Sequence, residues 1–234
     1  MSRPGPPPPP PRNHPHQLLV EGKDDRAVIG AILRHAGVRY PEAMWVPYIQ
    51  VLDGVENLLR TLPTALKGSC RRFAVVLDGD EDPPARWASL RSKVLGGLPD
   101  VPLPQTPPRG GFVADVGGGP DDPHTVERIG AWLMPDNGSR GALERFLEAL
   151  VPEVGAELFT YAREATGVAL ERGAPIVAAH REKAALHTYL AWQEPPGRPF
   201  GTALTTRALR PDGAVARELL GWLRQVFEDD ERGT

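Results

Sequence analysis

Short apolar runs alternate with segments of helical periodicity over the first two thirds of the chain. The clearest apolar, β-favouring runs predict strands, and they lie at residues 17–20, 45–51, 73–77 and 129–134, with a shorter one at 111–116. Between the runs, apolar residues recur at helical spacing, as at Val28, Ile29, Ile32 and Leu33. This alternation predicts an α/β fold, with a central, mostly parallel sheet of about four strands flanked by helices.

The chain divides into three parts by composition. Residues 1–16 contain an unbroken proline run, so we expect a disordered, extended tail. Residues 17–150 form the predicted α/β core. Residues 151–234 show helical periodicity, and we expect them to form a helical extension packed on that core.

Two carboxylates end the most apolar strand. The run at residues 73–77 is followed by Asp78-Gly79-Asp80. Alternate residues of an extended chain point to the same side, so Asp78 and Asp80 could project together. Gly79 between them leaves room for the backbone to approach an ion or a phosphate closely. Parallel sheets bind their ligands at the carboxyl ends of the strands, so both side chains are candidate ligands. A solvated acidic turn is an equally good interpretation of this stretch alone.

Other strand ends carry acids as well. Glu21 follows the first strand and Asp25 lies at the start of the next helix, although an aspartate there could simply cap the helix. Glu144 lies near the start of the helix after the fourth strand, where a solvent-facing role is the usual one for Glu.

If these five carboxylates converge, they cannot all stay ionised without cations. Oxygen ligands favour Mg²⁺ or Mn²⁺, and two such ions about 4 Å apart would suit attack on a phosphodiester. Lys183 could add positive charge to the transition state. The hypothesis requires that the strand ends meet and that ion pairs with arginine do not bury the carboxylates.

The charge and composition of the chain limit the class of protein and the compartment in which it works. Lys and Arg total 27 against 30 Asp and Glu, a net charge of -3, so the chain is not a strongly basic nucleic-acid-binding domain. The single cysteine, Cys70, excludes an intramolecular disulfide and fits a reducing compartment. No apolar run approaches the roughly 18 residues of a membrane span. We therefore expect a soluble, cytoplasmic protein with no membrane partner.

The motifs Leu19-Val20-Glu21-Gly22-Lys23-Asp24-Asp25 and Asp78-Gly79-Asp80 resemble the two signatures of the Toprim domain, a catalytic module of topoisomerases, primases, recombination proteins and nucleases. Further matches resemble a bacterial Toprim-like family of unknown function, and they lie at residues 132–137, 141–144 and 183–193. The resemblance covers residues 17–227 and extends to the Toprim nucleases of the overcoming-lysogenization-defect class, which serve in phage defence.

The resemblance implies a Toprim/Rossmann-like sheet and assigns roles to residues. It implies two divalent ions, Mg²⁺ or Mn²⁺, with Glu21 and Lys183 as catalytic residues and with ligands at Glu21, Asp25, Asp78, Asp80 and Glu144. It also suggests residues that support these ligands, namely Gly22, Asp82, Ser139 and His187.

The chain departs from that nuclease class because it has no Walker A sequence, so ATP-coupled regulation would need a separate ATPase partner. It also lacks a second domain that could supply the nucleophilic tyrosine of a topoisomerase. We therefore expect a metal-dependent phosphodiesterase whose substrate is DNA rather than RNA. The alternative is a non-catalytic module that uses the acidic site to hold a metal or nucleotide and regulates a partner protein.

Overall fold

A computed structural model describes residues 14–43, 45–68, 70–116 and 126–228. The strands are β1 (His16–Val20), β2 (Tyr48–Val51), β3 (Arg72–Asp78), β4 (Phe112–Asp115) and β5 (Arg128–Met134). The α-helices are α1 (Lys23–His35), α2 (Val55–Ala65), α3 (Pro83–Gly97), α4 (Leu143–Glu148), α5 (Ala156–Glu171), α6 (Arg181–Ala191), α7 (Phe200–Thr205) and α8 (Ala214–Phe227).

The five strands form one sheet in the order β2-β1-β3-β5-β4. The first four in that order are parallel, and β4 is antiparallel to β5 at the edge. This confirms the predicted α/β class with a mostly parallel sheet. Because β1 and β3 lie side by side, with Val20 opposite Val76, the acids that follow these strands emerge at the same edge.

Helices cover both faces of the sheet, as expected for strands that are apolar on both sides. Along β3, Phe73, Val75 and Leu77 face a core formed with α2 and α3. The alternate residues, Ala74 and Val76, face a second and larger core formed with α1 and the helices that follow β5. Strand alternation thus separates two hydrophobic cores by one sheet.

The helices of the C-terminal part complete this second core. Gly130 on β5 lies directly under α8, and a Cβ added there would be 2.4 Å from the Val226 Cγ2 atom. Trp222 and Val226 are both fully buried against the sheet. The helical extension is therefore a layer of the same hydrophobic core, and a glycine on β5 permits its close approach.

The predicted proline-rich tail ends earlier than residue 16, because His16 is buried and is the first residue of β1. Residues 1–13 of that predicted tail lie outside the described residues. The short helix α7 was not expected from the sequence. None of the described helices combines the length and the apolar character needed to cross a membrane.

Candidate metal centre

Glu21 joins the ends of the two central strands. It follows β1 directly, and its Oε1 atom accepts a hydrogen bond of 2.8 Å from the backbone N–H of Asp78 at the end of β3. The two signature motifs, 57 residues apart, are therefore in direct contact. This is the convergence that the sequence predicted for Glu21 and Asp78.

Asp78 connects the site to the region after β5. Its Oδ1 atom accepts a hydrogen bond of 3.0 Å from the N–H of Leu143, the first residue of α4. The next residue is Glu144, whose side chain is only 18 % exposed. Through this hydrogen bond, Asp78 holds the start of α4, the helix that carries Glu144.

Asp25 is the most buried of the predicted ligands, with 6 % of the residue exposed. It lies in the first turn of α1, and its Oδ2 atom accepts a hydrogen bond of 2.7 Å from the N–H of Gly22. The interpretation as a helix cap is therefore correct for one of its oxygens. The other oxygen has no hydrogen-bond partner among the described residues.

Asp80 reaches the same edge, but not by strand alternation. The strand ends at Asp78, and Asp80 has a left-handed φ of 50°. Its N–H donates to the carbonyl of Gly141 and its own carbonyl accepts from the N–H of Gly141, both at 2.8 Å. The interpretation of Asp78 and Asp80 as same-side residues of one extended strand was wrong, because this bridge to the loop before α4 turns the chain.

Gly79 is needed for a different reason from the one its sequence suggested. A Cβ at this position would lie 2.8 Å from the Met134 carbonyl oxygen at the end of β5. The N–H of Gly79 donates to that same carbonyl at 3.0 Å. The close approach at Gly79 is to protein backbone, and it holds the ends of β3 and β5 together.

Asp80, the most exposed of the predicted ligands, forms an ion pair with Arg86. The Arg86 guanidinium, on the first turns of α3, donates to Asp80 Oδ2. The Asp80 side chain is nevertheless 51 % exposed, so this ion pair does not bury it. Asp80 stays accessible at the rim of the site.

Burial, together with the charges of neighbouring acids, raises the pKa values of Glu21, Asp25 and Asp78. Burial raises the pKa of Asp25 to about 7, and the charges of Glu21, Glu144 and Asp24 add to the effect. Burial also raises the pKa of Asp78 well above its ordinary value, helped by Asp25 and the other acids. For Glu21, burial raises the pKa although the hydrogen bond from Asp78 opposes it. The site therefore holds excess negative charge that a cation would relieve.

Lys183 lies at the same edge, although it comes from α6. Its Nζ atom is 3.3 Å from Asp24 Oδ2 and 3.5 Å from Glu144 Oε1. Partial burial opposes its charge, but the Glu144 and Asp24 carboxylates outweigh this and raise the pKa of Lys183. The ammonium group therefore stays protonated beside the acids, and the Lys183 side chain is 41 % exposed.

Two of the predicted supporting residues lie at the site. Gly22 donates its N–H to Asp25, as described above. His187 stacks on the Phe200 ring, with centroids 4.7 Å apart, and burial followed by the charge of Lys183 lowers the pKa of His187.

The other two supporting residues are engaged elsewhere. Asp82 caps α3 by accepting the N–H of Ala85 at 3.0 Å. The Ser139 hydroxyl donates to Asp136 Oδ2 at 2.8 Å, inside a turn that Asp136 stabilises. The prediction that Asp82 and Ser139 assist the metal ligands gains no contact in support.

A cleft of about 460 Å³ opens beside the acids. Asp80 and Glu144 line it together with Arg140, Arg145 and Glu182. The carboxylate cluster is therefore reached from solvent through an open cleft of mixed charge.

The chemistry of the donors fits Mg²⁺ or Mn²⁺, because carboxylate oxygens are the ligands that these hard cations take. Glu21, Asp25 and Asp78 each use one oxygen for a backbone N–H and leave the other without a hydrogen-bond partner among the described residues. As the side chains stand, no three His, Cys, Asp or Glu residues within the described ranges are arranged to hold one ion. The site thus provides carboxylate oxygens and negative charge for a cation, although the described side chains are not arranged around one ion position.

Sequence reasoning missed two partners of the site. Asp24 was named only as part of the first Toprim-like motif, but it pairs with Lys183. Arg86 was not connected with the acids, but it pairs with Asp80. Its position one turn after the Asp82 cap is a signal that could have placed it near the strand end.

Comparisons with known proteins add one finding. A family model described as a protein of unknown function, DUF3226, matches residues 15–228. A comparison with curated proteins gave no match. A comparison with solved structures gave none either.

Proposed function

Because the chain belongs to the DUF3226 family, whose description names no activity, we propose a function from the site itself: metal-dependent hydrolysis of phosphodiester bonds, with DNA as the substrate. The observation that carries the proposal is the convergence of Glu21, Asp25, Asp78 and Glu144, with raised pKa values at Glu21, Asp25 and Asp78. The resemblance to Toprim nucleases supports the same reading.

Glu21, Asp25, Asp78, Asp80 and Glu144 would hold Mg²⁺ or Mn²⁺. Such cations, when bound, activate water and stabilise the leaving oxygen of a phosphodiester. The residues of the chain set the conditions for this chemistry. The hydrogen bonds from the Asp78, Gly22 and Leu143 N–H groups fix three carboxylates in place, so that little reorganisation is needed when the substrate arrives.

Lys183 and Glu21 have distinct roles in the proposal. The exposed Lys183 ammonium beside Glu144 can donate to a phosphate oxygen and stabilise the charge that develops there. Burial raises the pKa of Glu21, which makes its free oxygen a better proton acceptor than an ordinary glutamate.

Cleavage of supercoiled plasmid in Mn²⁺ or Mg²⁺ tests the proposal. We expect the wild type to nick the plasmid and Asp78→Asn to be slower by at least about 100-fold. Asp100→Asn should match the wild type, because Asp100 is exposed and its side chain forms no hydrogen bond or ion pair with another described residue. Equal rates for the wild type and Asp78→Asn, or no cleavage with either metal, would refute it. RNA and nucleotides offered in parallel define the substrate class.

A second candidate function is a non-catalytic module that binds a metal or nucleotide and regulates a partner. The ion pairs of Arg86 with Asp80 and of Lys183 with Asp24 and Glu144 favour it, because they already neutralise part of the acidic edge. Tight nucleotide binding without turnover would select this function over hydrolysis.

The wider setting follows from the same resemblance. We propose a role in phage defence and, since the chain has no Walker A sequence, a separate ATPase as partner. Protection of a host from phage that requires both the chain and Asp78 is the corresponding test.

A further inference from the structure

An apolar stripe runs along the solvent side of α5. It consists of Leu158, Tyr161, Ala165 and Val168, spaced at intervals of three, four and three residues. Tyr161 is 58 % exposed and Val168 42 % exposed. The same helix buries another side against the protein through Phe159, Ala162 and Thr166. The α5 stripe is therefore a second apolar surface, of the spacing that helices use to pack on other helices.

Neighbouring side chains enlarge the α5 stripe. Val154, in the turn before α5, continues the spacing by one step and is 94 % exposed. Trp192, at the end of α6, stacks on Tyr161 with ring centroids 5.3 Å apart. Most of the exposed large apolar residues in the described part of the chain thus belong to one surface.

A row of glutamates borders this stripe. Glu157, Glu164 and Glu171 recur every seven residues, so they lie along one edge of the helix. All three are exposed, and none forms an ion pair with another described residue. The three glutamates of this acidic border therefore have no cationic partner among the described residues. Glu148 and Glu182 nearby differ, because both pair with Arg163.

The surface around the α5 stripe also contains a groove. The groove, of about 780 Å³, lies along α5, and Tyr161, Ala165 and Val168 line it, with Glu164 on one side and Arg172 at the end of the helix. The small Ala165 between two larger residues makes a recess into which a side chain of another helix can insert.

We propose that the α5 stripe binds an amphipathic α-helix of a partner protein, whose apolar face is bordered by Lys or Arg on the side that lies over the acidic border. From Leu158 to Val168 the stripe extends about 15 Å, which matches about three turns of a partner helix. The apolar residues supply the buried area, and the glutamates select the charge of the partner.

Charge disfavours two other occupants. If a second copy of α5 packed antiparallel on this surface, the two acidic borders would face each other, and the single Arg172 at the end of each stripe would not balance three glutamates. In a parallel pair, the border would face the edge that carries Ala169, where the glutamates would gain no opposite charge. An anionic membrane surface would be repelled by the three glutamates.

Two synthetic helical peptides of about three heptads, with the same leucine face but with either lysine or glutamate at the border, test the proposal by fluorescence anisotropy on the full chain. We expect the lysine peptide to bind at least about ten-fold more tightly than the glutamate peptide at low salt. Val168→Asp should weaken that binding at least about ten-fold, whereas the matched control Val177→Asp, which is exposed but off the stripe, should not.

A triple variant with Glu157→Lys, Glu164→Lys and Glu171→Lys should reverse the preference and bind the glutamate peptide more tightly. The proposal is overturned if neither peptide binds or if both bind equally. It is also overturned if light scattering shows a dimer that Val168→Asp dissociates, or if Val168→Asp abolishes binding to anionic vesicles. None of these readouts depends on nuclease activity.

Discussion

Replacing Asp25 with asparagine should stabilise the protein at neutral and alkaline pH. Asp25 is almost fully buried, and burial with three neighbouring acids raises its pKa to about 7 from an ordinary value of 3.8. Between these two values the folded chain keeps a proton on Asp25 that the unfolded chain releases. The free energy of unfolding of the wild type must therefore fall as the pH rises through this window.

The size of the effect follows from the shift. A difference of about three pKa units, at about 1.4 kcal/mol each, makes the ionised Asp25 cost the fold about 4 kcal/mol above pH 7. Asparagine has the same shape as the protonated acid and can still accept the N–H of Gly22 through its amide oxygen. Asp25→Asn should thus equal the wild type near pH 4 and exceed it by about 4 kcal/mol at pH 8.

Urea denaturation followed by tryptophan fluorescence, in chelator and at pH values from about 4 to 8, measures this difference directly. Asp100→Asn serves as the control, because its side chain is exposed and its difference from the wild type should not change with pH. Adding Mg²⁺ or Mn²⁺ at pH 8 should stabilise the wild type more than Asp25→Asn, since a bound cation offsets the charge that asparagine lacks.

A difference between Asp25→Asn and the wild type that stays constant with pH would refute this reasoning. So would an asparagine variant less stable than the wild type at pH 8. Either result would mean that Asp25 is ionised in the fold without cost, and the site would then need no cation to balance it.

Three further changes probe the same edge of the sheet. Lys183→Ala should lower the cleavage rate about 100-fold, and Lys183→Arg should restore part of it, while urea denaturation shows a change within about 1 kcal/mol. Arg86→Ala should strengthen Mn²⁺ binding several-fold in calorimetry by freeing Asp80, and Arg86→Lys, which keeps the charge, should not. Gly79→Ala should destabilise the fold by about 1–3 kcal/mol because its Cβ meets a backbone carbonyl, whereas Gly96→Ala, in open space on α3, should stabilise it by about 0.5–1 kcal/mol.

The sequence predicted the fold class well because the signals are local. Residues 73–77 are apolar at every position, which identifies a strand buried on both faces, and the structure places them between two cores. The antiparallel orientation of β4 and the short helix α7 were not predictable in the same way. Both depend on packing against distant elements, and their segments carry little periodicity of their own.

The candidate site was predicted in its composition and only partly in its geometry. The strand ends at Glu21 and Asp78 converge because parallel strands share a carboxyl edge, which is a general property of such sheets. The left-handed turn at Asp80 results from a backbone bridge to Gly141, and the pairing of Lys183 with Asp24 joins residues 159 positions apart. Pairings of this length are set by the tertiary fold, so local patterns contain no signal for them.

The absence of a Cβ at Gly130 has a consequence for how the protein matures. Because α8 lies directly on β5 there, this part of the β5 surface stays uncovered until α8 has been synthesised. Lys183 also belongs to this late part of the chain, so a ribosome-bound intermediate that ends near residue 150 would carry the carboxylates without their lysine. The acidic edge thus acquires its full charge pattern only after α6, which carries Lys183, has been added to the chain.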